Sequence, residues 1–315
     1  MHRLVIFLKK NKVTQFILSS IRVFYFFTYR YYSRKLGIKI LGPLETVKMI
    51  NSNRLSISRF GDGEFNIAFE NKGIGFQPYS KELQQDLINV LQESNSKKYS
   101  IGLPHGYNQT KYDKLKIKPF WWSYVTRKHE DILNAVKYAD KNIFLDASFT
   151  RTITELRDKS EINEVITEIK RMWKDRDVLI VEGSGTGFGK GNDLLQSCRS
   201  VSRIIAPAVD AYSKIEIIRN SVEVFLDEAE TESDYRNKIV LIALGPTATV
   251  LAAELNEKVQ TIDIGHFDLQ YEYFQRGYYN KVAVDNKYDN EMIDGDKYTY
   301  SENSEYESQI VKRID

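Results

Sequence analysis

Lys238-Ile239-Val240-Leu241-Ile242-Ala243-Leu244-Gly245-Pro246-Thr247-Ala248-Thr249-Val250-Leu251-Ala252-Ala253-Glu254-Leu255 decides how this 315-residue chain is read. Its opening is an apolar run rich in β-branched residues behind one lysine, the pattern of a buried strand. Gly245-Pro246 breaks the run, and proline fits the first turn of a helix, where an N–H is unneeded. A strand, a tight turn and a helix follow one another. Thr247 or Thr249 would present hydroxyls at the helix N-terminus, beside backbone N–H groups suited to an anion.

The same alternation extends outward along the chain. Strand patterns fall at 54–58, 99–102, 142–146, 178–182, 201–206, 238–244 and 259–264. Helical patterns fall between them at 80–93, 121–138, 160–173, 192–198 and 213–228. Alternating strands and helices predict an α/β domain with a mostly parallel sheet and helices on both faces. In such sheets ligands bind beyond the carboxyl ends of the strands. After the strand at 259–264 comes Gly265-His266-Phe267-Asp268-Leu269-Gln270-Tyr271-Glu272, so His266, Asp268 and Glu272 cluster just past such an end. The plainer alternative is that Asp268 caps the next helix and His266 is a turn residue.

Ser58-Arg59-Phe60-Gly61-Asp62-Gly63-Glu64-Phe65 sets two carboxylates one residue apart in a glycine-bracketed turn after the apolar Leu55-Ser56-Ile57. Glycines allow a close backbone approach, and Asp62 and Glu64 supply the hard oxygens that Mg²⁺ or Mn²⁺ prefers. Arg59 is available to a phosphate. An isolated Asp-x-Glu is more often a solvated turn, so the triplet needs company. The run Gly183-Ser184-Gly185-Thr186-Gly187-Phe188-Gly189-Lys190-Gly191-Asn192 fits neither familiar phosphate loop. Lys190 is followed by glycine where a Walker loop has Ser or Thr, and the spacing is not that of a dinucleotide fingerprint. What remains is a backbone loop able to wrap a diphosphate or sugar, or a structural linker. Ser148, Arg151 and His105 are second-rank polar candidates near strand ends, and Trp121 and Trp122 are either a sugar platform or core.

Four of these segments, in order, resemble the GT-D-type glycosyltransferases: Arg59 to Glu64, Val181-Glu182-Gly183 with Gly189 to Leu194, Leu244 to Ala248, and Asp263 to His266 continuing to Tyr273. The resemblance covers about residues 43 to 285. It implies a Rossmann-like transferase that binds a UDP-sugar, typically UDP-glucose, and acts in bacterial surface-glycan or adhesin glycosylation. It also implies metal contacts at Asp62 and Glu64, and nucleotide-sugar contacts at Arg59, Gly61, Gly183, Lys190, Asn192, Gly245 and Thr247. Glu272, with His266 second, is implied as the base of an inverting displacement, with Mn²⁺ or Mg²⁺ as cofactor. Phe267, Leu269 and Gln270 depart from the usual run, which bears on acceptor or sugar preference. Two readings from other classes are a metal-dependent phosphohydrolase of nucleotide sugars and a noncatalytic nucleotide-sugar-binding subunit.

Composition sets the remaining expectations. A hydrophobic fraction of 42% with 28% charged residues suits a globular enzyme. The single cysteine, Cys198, excludes an internal disulfide framework and points to a reducing cytoplasm. The net charge of +2 hides a segregation: residues 1–35 hold eight Lys or Arg and no acid, which leaves −6 on the other 280. This segment, within 1–42, alternates cations with aromatics, as a helix on an anionic membrane surface does. Its apolar stretches are too short to span and have no cleavable signal pattern. The expectation is a peripheral protein at the inner face of the membrane, or a helix packed on the protein itself. An excess of basic over acidic residues confined to one end, with the rest of the chain net acidic, argues against nucleic acid as a partner. Glycan, glycopeptide and lipid-linked acceptors all stay open, and residues 286–315 read as a polar tail.

Overall fold

The computed structural model describes residues 22–93, 96–229, 231–282, 284, 287 and 303–315. Its strands are β1 (Lys39–Ile40), β2 (Ser56–Arg59), β3 (Tyr99–Leu103), β4 (Ile143–Asp146), β5 (Asp177–Gly183), β6 (Ser200–Ala206), β7 (Lys238–Ala243), β8 (Gln260–Asp263) and β9 (Ile310–Arg313). The helices are α1 (Phe26–Lys35), α2 (Pro43–Asn53), α3 (Asp62–Glu70), α4 (Lys81–Gln92), α5 (Lys118–Ala139), α6 (Thr152–Glu155), α7 (Lys159–Arg171), α8 (Ile215–Asp227), α9 (Glu232–Asn237), α10 (Pro246–Leu255), α11 (Phe267–Gln275) and α12 (Ser304–Ser308).

Successive side chains of a strand point to opposite faces, and here each face has its own core. Val240 and Ile242 of β7 pack in one core with Leu179 and Val181 of β5, while Ile239, Leu241, Val178 and Ile180 pack in the other. Helices α4, α5, α8 and α10 cover the first face, and α2, α7 and α11 the second. Helix α7 is representative: Asp158 accepts the Ser160 N–H at 2.9 Å, and Ile162, Val165, Ile166 and Ile169 form one buried stripe. Each such side chain contributes about 1.5–3 kcal/mol by leaving water.

Among the described residues one nine-stranded sheet runs β1-β4-β3-β2-β8-β7-β5-β6-β9. Every pairing is parallel. This is the Rossmann-like architecture expected from the sequence. All carboxyl ends therefore share one edge, and Arg59 of β2 comes beside Asp263 of β8 because Ile57 pairs with Ile262.

Several local expectations need correction. The stretch at 192–198 is not a helix: Asn192 Oδ1 accepts the Leu194 N–H at 3.0 Å and Trp173 Nε1 donates to the Leu194 carbonyl at 3.1 Å. Such side-chain partners compete with helical bonding in so short a segment. Residues 62–70 form a helix where a turn was read, with Gly61 as an extended N-cap at φ −96°. The flanking segments also enter the domain. Residues 26–40 contribute α1, packed on α5, and the edge strand β1. From the C-terminal segment, β9 extends the sheet beside β6, and Tyr306 and Ile314 are buried. Residues 1–21, 286 and 288–302 lie outside the described residues.

Candidate active site

The early acidic pair is built on the first turn of α3. Gly61 donates its N–H to Glu64 Oε2 at 2.7 Å, closing a capping box that fixes the Glu64 side chain. Asp62 is exposed and Glu64 is buried, at the helix end that favours negative charge. Burial pushes the Glu64 carboxyl up to about 7, assisted by the Asp263 carboxylate and opposed by backbone N–H donors and Arg59.

Asp263, the last residue of β8, is a site residue the sequence reading did not single out. The available signal was an acid ending an apolar strand. Arg59 donates from Nε and Nη2 to Asp263 Oδ1 at 3.1 and 2.8 Å, and from Nη1 to Thr150 Oγ1 at 2.7 Å. Burial raises the Asp263 pKa, and Arg59 opposes the shift. The guanidinium expected to meet a phosphate is thus an internal brace between β2, β8 and the segment after β4. Gly265 makes this possible: at φ +49° it sits in the left-handed region, and a Cβ there would collide with Arg59 Nη2.

These two turns meet at one cavity of about 710 Å³ beyond the strand ends. Arg59, Gly61, Asp62, Glu64, Asp263 and His266 line it, and His266 sits at the N-cap of α11. Gly245 lines it too, with φ +54° and no room for a side chain against Phe76. A further wall comes from Ser148, Thr150, Arg151 and Glu155, with Phe120 and Trp121 of α5 also lining the cavity. Trp122 faces away, donating from Nε1 to Thr110 Oγ1 at 3.0 Å and packing on Phe26.

Glu155 is the second residue that sequence reasoning missed, because it ends a four-residue helix, Thr-Ile-Thr-Glu, whose β-branched composition hides it. Oε1 accepts from Arg151 Nε at 2.8 Å, while the buried Oε2 has no hydrogen-bond partner among the described residues. Burial raises its pKa against the pull of Arg151 and His105. Its helix is tied to α11 by Gln270, whose Oε1 accepts from Thr154 N and Oγ1, both at 3.1 Å. The unusual Gln270 is therefore a brace between cavity walls.

His105 lies beneath this wall in a buried ion network. Nδ1 meets Asp146 Oδ2 at 3.0 Å and Nε2 meets Asp113 Oδ1 at 2.7 Å. Burial alone would lower its pKa, but Asp146 and Asp113 outweigh that and hold it well above the ordinary value. Asp146 Oδ1 also accepts the Ser148 N–H at 2.9 Å, so the network sets the segment carrying Ser148 and Thr150.

Five expected contacts do not line the cavity: Gly183, Lys190, Asn192, Thr247 and Glu272. Thr247 Oγ1 bonds Gln77 Oε1 at 3.4 Å, and Thr249 Oγ1 donates to the Arg59 carbonyl at 3.1 Å. The hydroxyls expected to meet an anion thus serve the fold. Glu272 accepts from Asn192 Nδ2 at 2.7 Å and pairs with Lys287 at 3.3 Å and Arg276 at 3.4 Å. Asp268 accepts from Gly189 N at 2.6 Å and pairs with Lys287, so it does not cap α11. At the other end of the loop Glu182 takes the Phe188 N–H, the Arg203 guanidinium and the Tyr306 hydroxyl, and Lys190 lies 5.1 Å from the Tyr306 ring. The glycine-rich loop is clamped to α11 and to the C-terminal segment.

Among the described residues no three His, Cys, Asp or Glu side chains gather as a ready-made metal cage. Asp62 and Glu64 on one wall still fit a hard cation whose remaining ligands are substrate phosphate oxygens and water, the usual arrangement for Mg²⁺. Cys198 packs against the α7 side, and burial raises its thiol to about 12.

A family model described as the glycosyltransferase GT-D fold matches residues 57–292. The chain belongs to the GT-D-fold glycosyltransferases. The match includes β2, the acidic pair, β8 and α11, the segments that build the cavity. Relatives of this GT-D chain include a probable glycosyl transferase Gly of Streptococcus gordonii, 30% identical over 88% of the chain. Another is the glycosyltransferase GlyD of Streptococcus pneumoniae, 29% identical over 88%. The chain spans only 39% and 33% of their respective lengths. A solved structure reported as domain of unknown function 1792 with a distinct glycosyltransferase fold aligns with TM-score 0.82 and 31% identity, over 91% of this chain and all of that one. A glycosyltransferase from Streptococcus sanguinis aligns with TM-score 0.78 and 29% identity, over 88% of this chain and all of that one.

Proposed function

We propose that this GT-D chain transfers a sugar from a nucleoside-diphosphate donor, UDP-glucose being the first to test, to a hydroxyl of a glycan, glycopeptide or lipid-linked acceptor. The observation that carries this reading is the convergence of the Asp62–Glu64 turn and the Asp263–His266 turn on one 710 Å³ cavity at the carboxyl edge of a parallel sheet. Asp62 and Glu64 would hold a Mg²⁺ or Mn²⁺ ion, which when bound supplies positive charge to the departing diphosphate. Arg59 pairs with Asp263 and ties β2 to β8.

In the displacement the acceptor oxygen bonds the anomeric carbon as that carbon's bond to the diphosphate oxygen breaks. The bonding pair leaves with the diphosphate, and the acceptor proton passes to a base. Attack opposite the leaving group inverts the configuration. Glu155 is the base we assign, because it lines the cavity with one buried oxygen that has no partner among the described residues and with a raised pKa. His266 is second. The earlier preference for Glu272 yields because that carboxylate is engaged by Asn192, Lys287 and Arg276.

The purified chain incubated with Mn²⁺, UDP-, GDP- and TDP-sugars and a panel of acceptors should yield a glycosylated acceptor from one donor class, read by mass spectrometry. Asp62→Ala should lower turnover at least about 100-fold with an unchanged melting temperature. Near-normal turnover in that variant would remove the metal role. Donor consumption that yields only free sugar, with every acceptor unmodified, would favour hydrolysis over transfer.

A further inference from the structure

We propose that the outer face of α1 docks this protein on an anionic lipid surface. The helix has two dissimilar faces. Its inner face is settled on α5: the Phe26 ring meets Trp122 at 5.0 Å, Tyr32 stacks on His129 at 3.8 Å, and Tyr29 and Ser33 are buried. A helix so packed ordinarily turns a polar face to water. Here the outer face exposes Phe27 at 77% and Tyr31 at 62%, and Phe24, in the turn just before the helix, is 80% exposed. Those rings are interleaved with Arg30, Arg34 and Lys35, and an open groove runs between Phe27, Tyr31 and the three cations.

Charge selects the occupant. Residues 1–35 carry no acid, whereas the remaining 280 sum to −6, so positive potential is concentrated at this end of the chain. Aromatic rings beside cations match the interfacial layer of an anionic bilayer, where rings sit at headgroup depth and the cations meet lipid phosphates. An acidic soluble partner would use the cations and leave the rings in water. No helix among the described residues is long and apolar enough to cross a membrane, and the docking proposed is peripheral.

The helix that carries α1 also lines the cavity. Phe120 and Trp121 line the cavity, and the next residue of the same helix, Trp122, holds α1 through Phe26. A chain seated through α1 would meet lipid-linked acceptors at the bilayer, with α5 the element shared between the docking helix and the cavity. This last consequence rests on the transferase reading; the docking does not.

The test is flotation of the full chain with phosphatidylcholine vesicles, with and without phosphatidylglycerol, in the absence of any sugar donor. We expect co-flotation only with the anionic vesicles and release as salt rises, because screening shortens the reach of the cations. Phe27→Ser/Tyr31→Ser and Arg30→Glu/Arg34→Glu should each weaken the vesicle partition at least about tenfold. Their melting temperatures should match the wild type, since all four side chains are exposed. Failure of the wild type to float, or flotation unchanged in both variants, would overturn the proposal. So would a wild-type dimer in solution that the Phe27/Tyr31 variant dissolves. Transfer to a water-soluble acceptor, measured on the same preparations, reports separately on the transferase reading.

Discussion

Gly265 stands where the Arg59 guanidinium crosses the backbone, and the crossing leaves no volume for a methyl group. Gly265→Ala should cost about 3 kcal/mol in denaturant unfolding, from the left-handed φ and the displaced arginine together. It should also abolish transfer, because Asp263 would lose its ion pair. Glu155 is tested differently. Glu155→Gln keeps the shape and removes the proton acceptor, so kcat should fall about 100-fold while donor affinity, measured by calorimetry, holds. A loss confined to donor affinity would instead make Glu155 a binding group. At this scale the sequence was legible for residue type and blind to occupancy. Asp62, Glu64 and His266 carry their chemistry on their face, but nothing local reveals that Arg59 is bound to a carboxylate 204 positions away.

Between elements, α11 is the hub of the site. It carries His266 at its N-cap, is joined to α6 through Gln270, and anchors the glycine-rich loop through Asp268 and Glu272. Gln270→Leu would remove the acceptor of the buried Thr154 N–H, at a cost of about 1–3 kcal/mol, while the Thr154 hydroxyl keeps the Arg151 carbonyl. Steady-state kinetics should show a raised acceptor KM, with donor affinity preserved. Gln270→Glu keeps the acceptor oxygen but buries a charge, so it should lower the urea midpoint. The seven strands read from β-branched runs emerged as strands because each is buried by neighbours on both sides of the sheet. Helix α3 was hidden because glycines at 61 and 63 read as a turn, whereas the Glu64 side chain supplies the cap that starts a helix. Strands β1 and β9 were hidden because edge strands have one paired side and need little apolar patterning.

Across the whole molecule, the His105 network ties the turn after β3 to the segment after β4 and to Asp113. Its imidazole has a folded pKa well above the unfolded 6.5. The stability it contributes is therefore fully present below pH 6.5 and is lost as pH rises through the raised folded value. His105→Gln should destabilise by about 3 kcal/mol at pH 6, and the gap to wild type should narrow at alkaline pH. Urea melts of both proteins across that range check the sign, with Asp146, Asp113 and Glu155 as the facing charges.

The sequence by itself determined the class of architecture, because hydrophobic periodicity is a local property that a strand or helix displays wherever it ends up. It also determined which residue types were available for metal, phosphate and proton chemistry. Only the tertiary structure decided which of them share a cavity. That outcome depends on β2 lying beside β8 and on the segments after β4 folding over their ends, contacts between distant residues that no periodicity encodes. Hence Asp263 and Glu155 entered the site, while Lys190, Asn192 and Glu272 became the clasp that holds it.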